Sequence, residues 1–357
     1  MKTALFILLL SAANSAAQAP VSPPTAPPPG MVWIPGGDFV MGSDDSLARA
    51  NEKPPHPVKV SGFFMDVTAV TNAQFEQFTK ATGYATLAER KPDWEELKKQ
   101  LPPGTPKPDD SVLVAGSMVF KPSDGPVDLR DMQNFWQWMP GADWKHPEGP
   151  QSDLKGRENH PAVHVCWDDA QAYAKWAGKR LPTEAEWEFA ARGGSTGKRY
   201  SWGEEFNPGG KFMCNTWTGE FPYKNTKEDG WERTAPVKSY PANGYGLYDM
   251  SGNVWNWVSD WYRPDTHQTQ AKEKMCCDPK GPSKSFSPVN PHQPERVTKG
   301  GSFLCHEAYC ASYRPSARRG LPPDTGMSHV GFRCVSVPAL ASGKLDARDT
   351  SPAKQKP

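Results

Sequence analysis

The sequence predicts an α+β fold with few helices, short strands and much irregular chain. Three observations carry that expectation. Helix signals are confined to a few stretches before Gly193, and beyond it only short strands and turns follow until a closing Val330 to Val335. The order of elements contains no alternating strand–helix–strand units. Finally, 357 residues hold 38 Pro, 31 Gly and 14 Trp at a mean hydropathy of −0.69, the mark of a loop-rich chain packed on large aromatics. Such a length accommodates one large domain or two ordinary ones.

Taken in order, residues 1–19 read as a signal peptide. Lys2 supplies the positive charge, Ala4 to Ala13 the apolar run, and Ala17-Gln18-Ala19 the cleavage site. That run is too short to cross a bilayer, and no later segment qualifies, so no membrane span is expected. Residues 20–30 form a Pro-rich linker, 31–340 the ordered domain, and the polar residues 341–357 a disordered tail. The signal peptide makes the expected destination an exported one, periplasm, secretory lumen or extracellular space, and no C-terminal retention signal is present. A formal charge of +1 without long single-sign blocks speaks against nucleic acid as a partner.

Gly30 to Gly42 alternates around Gly36-Gly37 as strand, turn and strand, and Val58 to Asp66 reads as another strand. Thr71-x-x-Gln74 is a capping box opening a helix with Phe75 and Phe78 on its inner face, and Gly83 ends it. A short helix starts at Asp93. Residues 102–150 are irregular, with aromatics that argue for order. Asp168 caps a helix that Gly178 stops, and Thr183-x-x-Glu186 opens the next.

The chemistry is expected in the segment from Lys299 to Cys334. Cys305 and Cys310 stand five positions apart behind Gly300-Gly301, followed by a polar and basic run with Arg314, Arg318, Arg319 and Asp324. Two thiolates held by a short loop suit a soft, low-coordinate ion such as Cu(I). Zinc normally takes four ligands, and no second Cys pair or His pair completes a set. In an exported chain the spacing alone favours a structural disulfide. Seven cysteines (166, 214, 276, 277, 305, 310, 334) leave at least one thiol free or modified.

Several blocks, in order, resemble the formylglycine-generating enzymes, also called sulfatase-modifying factors. They are MVWIPGGDFVMGS, HPEGP at 146–150, HPAVHVCWDDAQAYAKWAGKRLPTEAEWEFAARGG, NTWTGEFPYKNTKEDG, NGYGLYDMSGNVWNW, GGSFLCHEAYC and GFRC. The likeness runs from about Gly30 to about Val337. GKRLPTEAEWE, GYGLYDMSGNVW and GFR occur across the wider superfamily, whereas the Cys pair inside GGSFLCHEAYC is specific to the oxidases. The resemblance implies a single fold akin to C-type lectins. It also implies a copper-dependent, O2-consuming oxidase that converts a cysteine of a Cys-x-Pro-x-Arg type motif in unfolded sulfatases to Cα-formylglycine. Cys305 and Cys310 would bind Cu(I)/Cu(II), the substrate thiolate would join them, and Ser302 matches the serine beside that centre. Trp136 or Trp138 would stack on the substrate proline, Asp93 would pair with its arginine, and Arg318 would join this substrate-facing set. A monomer is expected.

The same resemblance places a structural Ca2+ on Asn215 and Asp229 with the carbonyls of Thr216 and Trp231. A second Ca2+ would use Asp249, the carbonyls of Gly252 and Val254, and the side chain at 256. That side chain is Asn256 rather than the usual Glu, and Ala69 stands where relatives carry Glu, so charge is lost there. Family disulfide positions read Ala174, Ala191 and Pro315, leaving Cys334 without its usual partner. Cys166 is a substitute, and adjacent Cys276 and Cys277 would bridge to Cys214 or another chain. The rival readings are a catalytically inactive peptide-binding paralogue, a non-haem iron oxygenase of the superfamily, and a calcium-dependent lectin.

Overall fold

A computed structural model describes residues 23–273 and 276–338. The segments expected as signal peptide (1–19) and tail (341–357) lie outside the described residues. Strands β1 (Met31–Ile34) and β2 (Gly37–Met41) do not pair with each other. β1 runs antiparallel to β4 (Phe63–Asp66), and β2 antiparallel to β3 (His56–Val60). Gly36 makes this exit possible: it sits at φ +70, and a Cβ there would lie 2.5 Å from the Val60 carbonyl oxygen. The single strand expected over Val58 to Asp66 is therefore two, broken at Ser61-Gly62 where Gly62 packs against the Trp33 ring.

Helix α1 (Asn72–Thr82) has its expected box. Thr71 Oγ1 accepts from the Gln74 N–H, Gln74 Oε1 accepts from the Thr71 N–H, and Gly83 ends the helix at φ +68. Phe75 and Phe78 are buried against Trp144, Tyr173 and Trp176. Helix α2 is a single turn, Trp94–Leu97. The stretch 102–150 is less irregular than expected: β5 (Gly116–Phe120) and β6 (Trp136–Pro140) form an antiparallel ribbon. Flanking Pro and Gly obscure its alternation in the sequence.

Helix α3 spans Trp167–Trp176 and its N-cap is Cys166, not Asp168. Asp169 makes the capping bond instead, accepting the Cys166 N–H at 2.9 Å. Helix α4 (Glu184–Arg192) opens with the expected Thr183 box, and every one of its residues is buried. Strands β7 (Gly219–Glu220) and β8 (Lys224–Asn225) make a small hairpin. Helix α5 (Thr266–Gln270) was not expected, because Thr-His-Gln-Thr-Gln carries no apolar period.

The main sheet has the order β12-β11-β9-β13, from β9 (Trp255–Trp261), β11 (Arg296–Lys299), β12 (Arg318–Leu321) and β13 (Val330–Phe332). β11 is antiparallel to both neighbours, and β13 is parallel to β9. β10 (Cys276–Cys277) adds parallel to β3, and β14 (Val335–Ser336) closes on β4. Residues 300–317, the segment with the cysteine pair, form the long connection from β11 to β12. Among the described residues no helix is long and apolar enough to cross a membrane.

Candidate active site: the cysteine pocket

The connection turns at once through Gly300 (φ +91) and Gly301 (φ +72). Cys305 N–H then donates to Ser302 O and Cys310 N–H to His306 O, each at 2.9 Å. These two tight turns bring the Cα atoms of Cys305 and Cys310 to 5.4 Å, and the sulfurs are joined as a disulfide. Both residues are nearly enclosed, 1 % and 3 % exposed, yet both line a pocket of about 260 Å³. Reduction would leave two thiols facing that pocket from one loop. Among the described residues no group of three or more His, Cys, Asp or Glu could hold a metal ion. A metal held in this pocket would draw on the sulfur pair.

Buried charge pairs anchor the loop at both ends. At its start, Lys299 Nζ lies 3.1 Å from Glu188 and 3.5 Å from Glu184. At its end, Arg318 donates from Nε and Nη2 to both oxygens of Glu184, at 2.7 and 2.8 Å. Glu184 and Glu188 are i and i+4 on α4, so one helix face receives both ends of the loop. Burial alone would raise both carboxyls. The Arg318 and Lys299 charges at Glu184, and the Lys299 and Arg192 charges at Glu188, overcome it and hold each at about 2. In between, Arg314 makes a two-pronged pair with buried Glu52 at 2.6 and 2.8 Å, and its Nε donates to Ala311 O. Ala311 follows Cys310 at φ +44, a left-handed conformation for a non-glycine that this pairing helps to hold.

The expected site residues divide clearly. Ser302 is fully buried, lines the pocket, and accepts the Leu304 N–H at 3.2 Å, so its hydroxyl serves the turn as well as the site. Trp136 lines the pocket, with its ring 4.7 Å from that of His329. Trp138, two residues on, is 42 % exposed and lies outside the lining. Asp93 is an exposed N-cap accepting the Glu95 N–H, also outside the lining. Arg318 is consumed by Glu184 and by the carbonyls of Arg263 and Asn51, so it is a structural residue. The pocket takes Arg319 instead, with Tyr309, Trp255, Glu295 and His329, none of which was singled out as a site residue from the sequence. Strand alternation could have separated Arg318 from Arg319 had the buried face been known. Burial and the nearby Arg319 charge push the His329 imidazole down to about 3, so it faces the pocket neutral.

Residues 16–337 match the sulfatase-modifying factor enzyme 1-like domain. The chain belongs to the sulfatase-modifying factor family. It is 47% identical over 308 residues to the formylglycine-generating enzyme of Mycobacterium tuberculosis (strain ATCC 25618 / H37Rv), covering 86% of this chain and 98% of that protein. It is 36% identical over 317 residues to the inactive Cα-formylglycine-generating enzyme 2 of Mus musculus, covering 86% of each. Among solved structures, PvdO from Pseudomonas aeruginosa superposes with a TM-score of 0.55 at 25% identity, covering 86% of this chain and 94% of that one. The α+β fold with few helices and short strands is thus the family's.

The two sets of residues expected to bind calcium differ in how their atoms are used here. Asn215 is buried, and its Nδ2 donates to Arg233 O while its Oδ1 has no hydrogen-bond partner. Asp229 accepts the N–H groups of Thr216 and Trp231 at 3.0 and 3.1 Å, and burial pushes its carboxyl up. An orphaned oxygen beside a desolvated carboxylate fits a hard cation. At the other position, Asn256 Oδ1 accepts from Arg333 Nε and its Nδ2 donates to Val254 O. Arg333 also donates to the carbonyl of Asp249, while the Asp249 carboxylate accepts from the Lys238 N–H. The Asn256 Oδ1 and the Asp249 carbonyl are thus already engaged by the Arg333 guanidinium.

Neither a Cys166–Cys334 bridge nor a bridge to Cys214 forms within the chain. Cys166, Cys214 and Cys334 are buried thiols without disulfide partners. Cys214 and Cys334 pack as small apolar groups in the main core, the Cys166 sulfur accepts the Asp169 N–H at the start of α3, and burial raises all three. They are inert by that criterion.

Proposed function

We propose that this chain is a formylglycine-generating oxidase that converts the cysteine of a Cys-x-Pro-x-Arg type motif in unfolded sulfatases to Cα-formylglycine. One observation carries the reading: Cys305 and Cys310 meet in the wall of a pocket lined by Trp136, Trp255, Tyr309 and Ser302. Nearly buried sulfur pairs of this kind suit copper, which binds soft ligands in low coordination number. Cys305 and Cys310 would hold that ion as thiolates, and when bound it supplies the redox chemistry toward O2. The chain's own groups do the rest. The aromatic walls accept an apolar peptide segment, the neutral His329 adds no charge, and the enclosure excludes bulk water from the reacting thiol.

In the overall change, the substrate CH2–SH group loses two electrons and two protons to O2, which leaves as hydrogen peroxide unless an external thiol supplies two more electrons and takes it to water. Water then replaces sulfur at the resulting thioaldehyde, giving the aldehyde and hydrogen sulfide. The structural Ca2+ would sit on Asn215 Oδ1, the Asp229 carboxylate and the carbonyls of Thr216 and Trp231, clamping two loops that lack helix or sheet. The second Ca2+ position, with its oxygens engaged by Arg333, is proposed to stay without an ion. Export to the periplasm or a secretory route, on the N-terminal signal, is part of the same proposal.

The test is aerobic incubation of the Cu(I)-loaded protein with a peptide containing Leu-Cys-Thr-Pro-Ser-Arg, followed by mass spectrometry. A loss of about 18 Da, abolished in Cys305→Ser and in Cys310→Ser, is the expected result. No conversion together with no Cu(I) binding by the reduced protein would overturn the reading in favour of an inactive peptide-binding paralogue with a structural disulfide.

A further inference from the structure

Arg319 is the cation of the cysteine pocket, and its side chain is unusual in what it lacks. Its backbone is ordinary: it pairs with Thr298 across β11 and β12. Its guanidinium, however, makes no hydrogen bond or ion pair with the described residues, and its Nε is buried without an acceptor. The group is held by ring faces instead, 5.4 Å from the Tyr309 centroid and 6.0 Å from that of Trp255. Arg318, one position earlier, uses Nε, Nη1 and Nη2 on Glu184 and on main-chain carbonyls. Arg319 is half-buried, and a buried Nε–H left without an acceptor is costly unless a ligand supplies one.

The nature of the acceptor follows from the pocket's charge. Arg319 and Glu295 are the charged side chains in the lining, and Glu295, only 4 % exposed, accepts from Asn290 Nδ2 at 2.7 Å without a cationic partner among the described residues. Opposite charges in one small cavity leave it near neutrality. A neutral dipole therefore fits better than an anion. An extended peptide offers one main-chain carbonyl for every residue, about 3.3 Å apart. We propose that Arg319 is a substrate-anchoring residue whose ring-stacked guanidinium donates to a main-chain carbonyl of the cysteine-bearing peptide. This rests on the function proposed above and assigns it a recognition residue.

The experiment uses the metal-free, reduced protein and a fluorescent, C-terminally amidated Leu-Ser-Thr-Pro-Ser-Arg peptide, in which serine prevents thiol exchange. Anisotropy gives its Kd for wild type, Arg319→Ala and Arg319→Lys. Chelator competition gives Cu(I) affinity, and turnover of the cysteine peptide gives KM and kcat. Arg319→Ala is expected to weaken peptide binding about tenfold or more, to raise KM by the same factor, and to leave kcat within about twofold. Cu(I) affinity is expected to stay at the wild-type value, with Arg319→Lys intermediate in Kd. Wild-type peptide affinity in Arg319→Ala would overturn the proposal, as would loss of Cu(I) binding alongside it, which marks a structural role. Dependence on Arg319 only with a free peptide carboxylate would also overturn it, since the acceptor would then be an anion. A wild-type protein that neither binds nor converts its peptide would remove the underlying function itself, an outcome distinct from these.

Discussion

Replacing Gly301 by alanine tests whether the Gly-Gly turn serves the cysteine pair or only the fold. Gly301 sits at φ +72, and an added Cβ would lie 2.8 Å from the Ser312 carbonyl carbon, 2.9 Å from its oxygen and 3.0 Å from Cys305 Sγ. A left-handed alanine costs about 1–2 kcal/mol, and relieving the contact with the Ser312 backbone adds roughly 1–2 kcal/mol of overpacking. Their sum, about 2–4 kcal/mol, corresponds to a fall in Tm of roughly 3–6 °C for a domain of this size. The sulfur must also retreat by roughly 0.5–1 Å to reach ordinary contact, and a 1 Å misplacement at a reacting centre costs about 100-fold. Gly300→Ala is the matched control. It has φ +91, and its Cβ would meet Trp187 Cζ2 at 2.9 Å and Met250 O at 3.2 Å, with no sulfur nearby. Thermal denaturation should show similar losses for the two variants. Chelator competition and peptide turnover should show that only Gly301→Ala loses Cu(I) affinity and about 10- to 100-fold in rate. Equal effects of both substitutions, or wild-type turnover in Gly301→Ala, would refute the reasoning.

Two further outcomes are expected. Calcium chelation should lower the Tm of the copper-free protein, and Asn215→Ala should reproduce the chelated Tm and ignore added Ca2+, because its orphaned Oδ1 is the atom proposed to bind the ion. A wild-type Tm indifferent to chelator refutes the site. The second outcome concerns acid. Burial depresses His164 to about 4 and His267 to about 3, so each contributes stability present above pH 6.5 and lost as pH falls toward those values. At pH 5 the loss is about 2 kcal/mol for each imidazole that stays neutral in the fold. Asp260, which burial and Glu184 push up to about 7, acts in the opposite sense: its contribution is present at low pH and lost as pH rises through 7. Asp260→Asn should therefore lose stability more steeply than wild type between pH 7 and 5, read as Tm against pH. Parallel curves would refute the assignment.

Much of this protein was legible wherever a signal is local. The boxes at Thr71 and Thr183 depend on residues three apart, so α1 and α4 start where the sequence places them. A Gly-Gly turn followed by two cysteines five positions apart marks the loop that lines the pocket for the same reason. The blocks that resemble sulfatase-modifying factors carried the family and the fold.

Tertiary structure decided the questions that turn on which face of a strand is buried. Arg318 and Arg319 are chemically identical neighbours, and strand alternation sends one to Glu184 on α4 and the other to the pocket. Trp136 and Trp138 illustrate the companion case: they share a face of β6, yet only the first packs against His329 and lines the pocket. The ribbon of β5 with β6, the burial of Cys166, Cys214 and Cys334 as separate thiols, and the occupation of Asn256 by Arg333 are likewise contacts between distant segments. Sequence determined what each segment can form and which groups are available for chemistry. Only the packed fold determined which of those groups face one another, because burial and charge pairing depend on neighbours that chain order does not reveal.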